Sequence, residues 1–404
     1  MRRSFLFFFL LAALSGSSQP VPVLSDSARI SLLTVEPGDE VYSTFGHSAL
    51  RVYDAANRLD RCYNYGTFEF DQPNFLLKFC RGKLLYYLDI EPYRGFEYGN
   101  LADRRGMQEQ LLQLNRSQKQ RLFELLSVNA REDQRYYKYD FFYDNCATRI
   151  RDIVSEALFH EFSYDSTQLA LGTTMRQLLR PYLKPHPWMH FGIDLLLGLP
   201  ADRRARPADF MYLPNGLHDV FGHTKLADGR PLVRAELNIP PQLFHRDDFQ
   251  PSLFQRPLWM MCFVAIIGLL SMANPRTEHI FDTIFWFSLG VLGLVIALLW
   301  FATDHIPTKN NLNILWALPT HLLFFWRRSR SEFTQNYFTG VAILAILVLL
   351  FWKWLPQEIP VAALPLVVLV VVKGLWRHYW KVDSWRDEFT GALGRRQAGN
   401  KEVN

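Results

Sequence analysis

The feature that most constrains this 404-residue chain is an abrupt change of character at Pro257. Residues 26–256 mix charged, polar and apolar types over a length that suffices for one globular domain with its own core. Beyond them, apolar stretches recur at 257–273, 283–301, 312–326, 337–355 and 359–373. A membrane-crossing helix needs ~20 predominantly apolar residues, so the pattern reads as a five-helix membrane region over 257–373. Pro319 and Pro365 make the third and fifth stretches the least regular.

The amino terminus, MRRSFLFFFLLAALSGSSQP, has a basic start, a short apolar run and then small residues at 15–18. That is the form of a secretory signal peptide, read here as residues 1–18. Export would place residue 256 outside, and five crossings would leave the chain's end in the cytoplasm. The charges agree. Arg327, Arg328 and Arg330 follow the third stretch, and Lys373, Arg377, Lys381, Arg386, Arg395 and Arg396 follow the fifth. Both clusters then face the cytoplasm, as the positive-inside rule requires, so the net charge of +5 reports topology rather than a nucleic-acid footprint. Residues 26–240 become an exported domain, 241–256 a linker and 374–404 a cytoplasmic basic tail. The loops 303–311 and 355–360 fall on the side of the exported domain. The first carries Asp304, His305, Asn310 and Asn311, which either complete a site there or serve as a polar connector.

Within the exported domain, 29–36, 48–53, 61–70 and 83–93 are rich in strand formers, with Pro37 and Gly38 marking a turn. Glu109 to Ala130 takes helical spacing, with leucines at 111, 114, 122, 125 and 126 on one stripe. A second helix follows Cys146, with Ala147, Ile150, Ile153, Val154 and Ala157 on one face and Asn145 as its cap. The thiol thus opens a helix, where the dipole and unpaired N–H groups favour a thiolate and can hold an oxyanion. His47, in STFGHSALRV, starts a strand and is the base such a thiol needs. Cys62 and Cys80 are free to pair in an oxidising compartment, Cys262 falls in the first apolar stretch, and Cys146 is left as the odd, reactive thiol. An exported thiol nucleophile tethered to membrane helices points to acyl transfer at the membrane surface.

STFGHSALRV, YNYGTF and YDFFYDNCATRIRD, with the softer match TDHIPTKNNLNILWALP, resemble the blocks of the Lnb-type lipoprotein N-acyltransferase family. The resemblance covers about 26–240 and extends loosely into the membrane region. It implies an α+β, permuted papain-like (NlpC-like) thiol domain, with an antiparallel sheet and packed helices, followed by an α-helical transmembrane bundle. It implies Cys146 as nucleophile, His47 as base and Asn64 as the group that orients the imidazole. Tyr143, Asp144 and Asn145 would line the substrate pocket, and Arg149 would be a structural ion-pair partner. The expected partners are bacterial lipoproteins and membrane lipids, at the inner membrane, with the catalytic domain facing the periplasm or cell exterior.

The expected chemistry moves an acyl chain through a Cys146 thioester to the amino group of a lipoprotein's N-terminal cysteine, leaving a lyso-form product. The same Cys–His pair would serve a membrane-anchored peptidase or amidase, and a non-catalytic receptor remains a third alternative. No cofactor and no metal are expected. His218 and His223 do not share a helical face, and Pro185 and Pro187 argue against a helix joining His186 to His190.

Overall fold

The computed structural model describes residues 21–164, 170, 172–240, 252–325 and 331–376. The expected signal peptide, most of the linker, Arg327, Arg328, Arg330 and the tail beyond Trp376 lie outside these residues.

The N-terminal domain is built on one antiparallel sheet of seven strands, ordered β6-β4-β3-β2-β1-β5-β9. In chain order these are β1 (Arg29–Val35), β2 (His47–Asp54), β3 (Leu59–Thr67), β4 (Leu85–Pro92), β5 (Met107–Leu112), β6 (Tyr136–Lys138) and β9 (Val233–Ile239). The two-residue strands β7 (Phe162–Ser163) and β8 (Lys225–Leu226) pair apart from it. β1 is central and is buried along its whole length after Arg29. Ile30 and Leu32 face the larger core, while Leu33 and Val35 face a smaller one. Burial on both faces explains why the apolar residues of the strand do not alternate cleanly with polar ones.

Three helices lie in the first half of the domain: α1 (Phe75–Cys80), α2 (Tyr93–Ala102) and α3 (Arg116–Asn129). α2 supplies Tyr93 and Phe96 to the smaller core. The helix expected from Glu109 starts only at Arg116, and Met107–Leu112 is instead β5, paired with β1 and β9. The boundary is set by Asn115, whose side chain accepts the Gln118 N–H at 2.9 Å while Gln118 Oε1 accepts the Asn115 N–H. This reciprocal cap forbids a helix upstream of it.

α4 (Cys146–Ala157) lays Ile150, Ile153, Val154 and Ala157 into the larger core, against β2 and β3. α5 (Met175–Leu183), α6 (Pro187–Leu196) and α7 (Pro214–His223) follow. Pro187 opens α6 rather than breaking it, since a first-turn proline has no N–H to lose. His186 and His190 are thereby joined, the His186 carbonyl accepting the His190 N–H.

The apolar unit contains α8 (Pro257–Ser271), α9 (Pro275–Phe301), α10 (Glu332–Leu350) and α11 (Val361–Trp376). α9 and α10 are long and apolar enough to cross a membrane, and α8 and α11 are shorter apolar helices. The third expected helix is absent: Leu312–Leu315 and Pro319–Leu323 are 3₁₀ turns. They run back along α9, against which Gly290 and Gly293 give them room. A Cβ at Gly293 would meet the Ala317 carbonyl at 2.0 Å, and one at Gly290 would meet Leu322. Pro319 has no N–H for an α-helix, and Asn311 and Asn313 spend their side chains elsewhere, on the Leu195 carbonyl. Backbone of this kind is stable inside an apolar layer only when protein surrounds it. Trp316 and His321 are buried there, His321 bonded to the Tyr337 hydroxyl at 2.7 Å. Lys373 is likewise not a free basic-tail residue. It is buried against Asp282 at 2.9 Å and Ser271 at 3.0 Å.

One end of the apolar unit rests on the N-terminal domain. The Gly198 N–H donates to Pro307, Gln357 donates to the carbonyl of Leu197 and to Asn311, and Arg180 pairs with Glu358. Beneath these contacts Arg176, almost fully buried, bonds Asp202 and Asp194. Both loops expected on the side of the exported domain, 303–311 and 355–360, take part.

Candidate active site

The site lies at the end of the sheet where β2 begins and β3 ends. His47 is the first residue of β2, opposite Val35 on β1. On β3 the pairing with β4 slips between Tyr65 and Thr67, so that Gly66 is a bulge with φ of +94°. A Cβ at Gly66 would stand 3.5 Å from Cys146 Cβ and 3.9 Å from His47 Cε1. The missing side chain leaves one space that both Cys146 and His47 border, and the bulge re-aims the strand around it.

Asn64, two residues before the bulge, holds the imidazole: its Oδ1 lies 2.5 Å from His47 Nε2. The amide orientation is fixed from behind, since Asn64 Nδ2 donates to Glu91 Oε1 at 3.3 Å. With Oδ1 facing the ring, Nε2 carries the proton and Nδ1 is left to accept one. Glu91 opposes Cys62 on β4, one position diagonal to Asn64, so it shares Asn64's face of the sheet. The sequence reading had no signal for Glu91, because only strand register brings it there.

Cys146 begins α4 and is 7 % exposed. Asn145 caps that helix, accepting from the N–H groups of Ala147 and Thr148 at 2.9 Å each and donating to the carbonyls of Phe141 and Tyr212. Asp144 forms a two-point ion pair with Arg149, whose guanidinium lies 3.8 Å from the Tyr137 ring centre. Asn145 and Asp144 position the thiol's turn through these bonds, which occupy their polar groups. Tyr143 lines a recess with Arg151, Ser155 and Asp209, more than a helical turn beyond the thiol. Arg149 is the ion-pair partner expected.

Burial raises the Cys146 thiol above its ordinary pKa, although the backbone N–H groups of Ser48, Ala147 and Cys146 itself, and the charge of Arg105, pull the other way. The helix start does favour the thiolate, but exclusion of water outweighs it. Burial likewise lowers His47 to about 4, against the Asn64 hydrogen bond and with help from Arg105. Both shifts favour the neutral thiol and the neutral imidazole over a thiolate–imidazolium pair. Arg105 is a second group that sequence inspection missed. It is held by the Glu36 carbonyl at 2.9 Å and Asn100 at 3.1 Å, so that its charge bears on both reacting groups.

Cys62 is buried in the smaller core and Cys80 is exposed, and both are free thiols. Among the described residues no cluster of three metal-ligating side chains occurs. The loop after α9 braces the site. Asp304 pairs with Lys138 at 3.1 Å, His305 bonds the Phe79 carbonyl, and the Ile306 N–H reaches Asp140. Asp140 in turn accepts the N–H groups of Phe142 and Tyr143 just ahead of the thiol.

This arrangement can deprotonate a thiol and hold an acyl group on it, with the N–H groups of Ser48 and Cys146 beside the sulfur. Residues 23–181 match the family model described as the Lnb N-terminal periplasmic domain, and residues 246–383 match that of the Lnb transmembrane domain. No curated protein and no solved structure matches. The two matches fall in the order seen in the fold: a periplasmic α+β domain, then a membrane domain.

Proposed function

We propose that this chain, which belongs to the Lnb-type family, is a membrane-bound lipoprotein N-acyltransferase with Cys146 as nucleophile. The observation that carries the reading is the His47–Asn64 pair set across the Gly66 bulge from a helix-opening cysteine, in a domain docked on membrane helices. His47 Nδ1 takes the thiol proton as sulfur attacks an ester carbonyl of a lipid chain. The ester C–O bond breaks, the proton passes to the leaving alcohol, and a thioester remains on Cys146. The amino group of a lipoprotein's N-terminal cysteine then attacks the thioester; its proton is taken by His47 and the thiol is restored. An amide replaces an ester, which is the downhill direction. In the donor arrangement that the family implies, the chain comes from the lipoprotein's own diacylglyceryl group and leaves a lyso-form product.

The protein sits in the inner membrane as a multi-pass chain. α8, α9, the 3₁₀ segment, α10 and α11 make five passages, and the catalytic domain faces the periplasm or cell exterior. Holding the enzyme at the surface suits a substrate whose chains resist leaving the bilayer by about 0.8 kcal/mol per methylene. The test is mass spectrometry of the N-terminal peptide of a reporter lipoprotein, in cells without another N-acylating enzyme. An added N-acyl chain with Cys146 intact and none with Cys146→Ser supports the assignment, and loss of an ester-linked chain from the same peptide identifies the donor. An unmodified peptide beside well-expressed protein moves the reading to a peptidase or amidase.

A further inference from the structure

The periplasmic domain exposes a band of large apolar side chains on one side of the site. In α1, Leu76 is 70 % exposed, Leu77 57 % and Phe79 50 %. Phe70 precedes them, and Tyr42 and Val41, just ahead of His47, are equally open; the Tyr42 and Phe70 rings lie 6.5 Å apart. A contiguous patch of this kind on a folded domain marks an interaction surface. Three independent features say what covers it.

First comes its height. The end of α1 is bonded to the loop that leaves α9: Asp304 N–H donates to the Arg81 carbonyl, His305 to that of Phe79, and Gly82 packs on the His305 ring. These contacts fall three and four residues beyond Phe301, whose ring is 75 % exposed and stacked on Trp300. Aromatic residues at the end of an apolar helix mark the membrane–water boundary, so α1 is held at that boundary. Second comes the charge. Lys78, Arg81 and Lys83 accompany the apolar residues, the composition of an element that lies in a headgroup layer. Third comes continuity with the site. From Phe79 and Phe75 the rings pass to Phe68, then Tyr86, then Tyr139, in contact at 6.3, 5.9, 5.1 and 4.3 Å between centres. Tyr139 would lie 3.8 Å from a Cβ at Gly66, beside the thiol.

We propose that α1 is seated in the outer leaflet of the bilayer. Leu76, Leu77 and Phe79 lie in its hydrocarbon, and the ring series Phe75–Phe68–Tyr86–Tyr139 is the apolar wall along which a lipid acyl chain reaches Cys146. This deepens the acyltransferase reading and rests on it for the role of the chain, but the seating of α1 is testable by itself. The occupant is lipid rather than protein because the surface is fixed beside the membrane segments and points away from the domain's own contacts.

The test uses the full chain in phosphatidylethanolamine–phosphatidylglycerol vesicles. Leu77→Cys, in a Cys80→Ser, Cys262→Ser background, carries a bimane label. Phospholipids spin-labelled on the acyl chain are expected to quench it strongly, and aqueous iodide weakly. Strong iodide quenching with no lipid quenching overturns the seating. In parallel, Leu76→Asp/Leu77→Asp is expected to lower acyl transfer on the order of tenfold or more, while iodoacetamide still alkylates Cys146 at the wild-type rate. Wild-type transfer by that variant overturns the role of α1 in substrate delivery. A wild-type chain that transfers no acyl group, yet shows lipid quenching, counts against the proposed reaction and leaves the seating established.

Discussion

At the scale of single residues, the site depends on how burial sets two protons. With His47 lowered to about 4 by burial, the imidazole is neutral and able to accept a proton at every pH above that value. With the thiol raised, Cys146 keeps its proton through neutrality. Proton transfer must therefore accompany attack on the substrate rather than precede it. Thioester formation in a single turnover should rise through about pH 4 as His47 loses its proton and then stay level across neutrality. Alkylation of Cys146 by iodoacetamide should climb only on the alkaline side of the ordinary thiol range. A fast alkylation plateau at neutral pH would instead reveal a preformed thiolate–imidazolium pair and refute the neutral resting state. His47→Ala removes the base and should cost about 10²–10⁴ in rate. Asn64→Ala should cost less, because the ring keeps its chemistry and loses only its tautomer and orientation; a single-turnover assay of thioester formation separates the two.

At the scale of elements, the thiol's position rests on one cap and one bulge. Asn145 makes four hydrogen bonds from a fully buried amide, two to helix N–H groups and two to carbonyls. Asn145→Ala should lower stability by about 2 kcal/mol, from the lost cap and the stranded carbonyls, measured by denaturant unfolding. Gly66→Ala combines a strained positive φ with a Cβ set against Cys146 and His47, so it should cut activity more than stability. Much of this was legible beforehand. The cap, the helix after Cys146 and the first four strands each leave a local mark in residue type or period. Asn64 came from the family resemblance. What escaped has no local mark. Glu91 and Arg105 act through register and folding at a distance, and burial of the thiol reverses a pKa direction that the helix start alone would set. The helix drawn from Glu109 failed because MQEQLL has leucines that fit either period, and pairing with β1 and β9 decides. The third apolar stretch looked helical by composition, yet its course follows from Pro319 and from two glycines on a different helix.

At the scale of the whole molecule, the N-terminal domain and the membrane unit are joined by polar contacts beside the apolar packing of Leu195 and Phe191 on the membrane unit's core. Asn311, Asn313 and Gln357 from the membrane unit satisfy the carbonyls of Leu195 and Leu197. Those carbonyls flank the turn that Arg176 clamps, bonding the Leu197 carbonyl at 2.9 Å, Asp202 and Asp194. The clamp fixes α5 and α6 in the shape the membrane loops recognise. A joint of this kind fixes the N-terminal domain on the membrane helices, as the proposed acyl transfer from membrane lipid requires. Arg176→Met keeps the side chain's bulk but takes the guanidinium from both Asp194 and Asp202. Removing one partner from a buried ion network costs about 3–5 kcal/mol, and thermal unfolding in detergent should show that loss. Arg176→Lys, which keeps the charge but cannot fork to Asp202, should fall between the two. If Arg176→Met unfolds at the wild-type temperature while acyl transfer persists, the clamp does not bear the joint. The reach of Cys146 to the membrane would then depend on the other contacts of the two loops, among them those of Asp304, His305, Pro307 and Glu358.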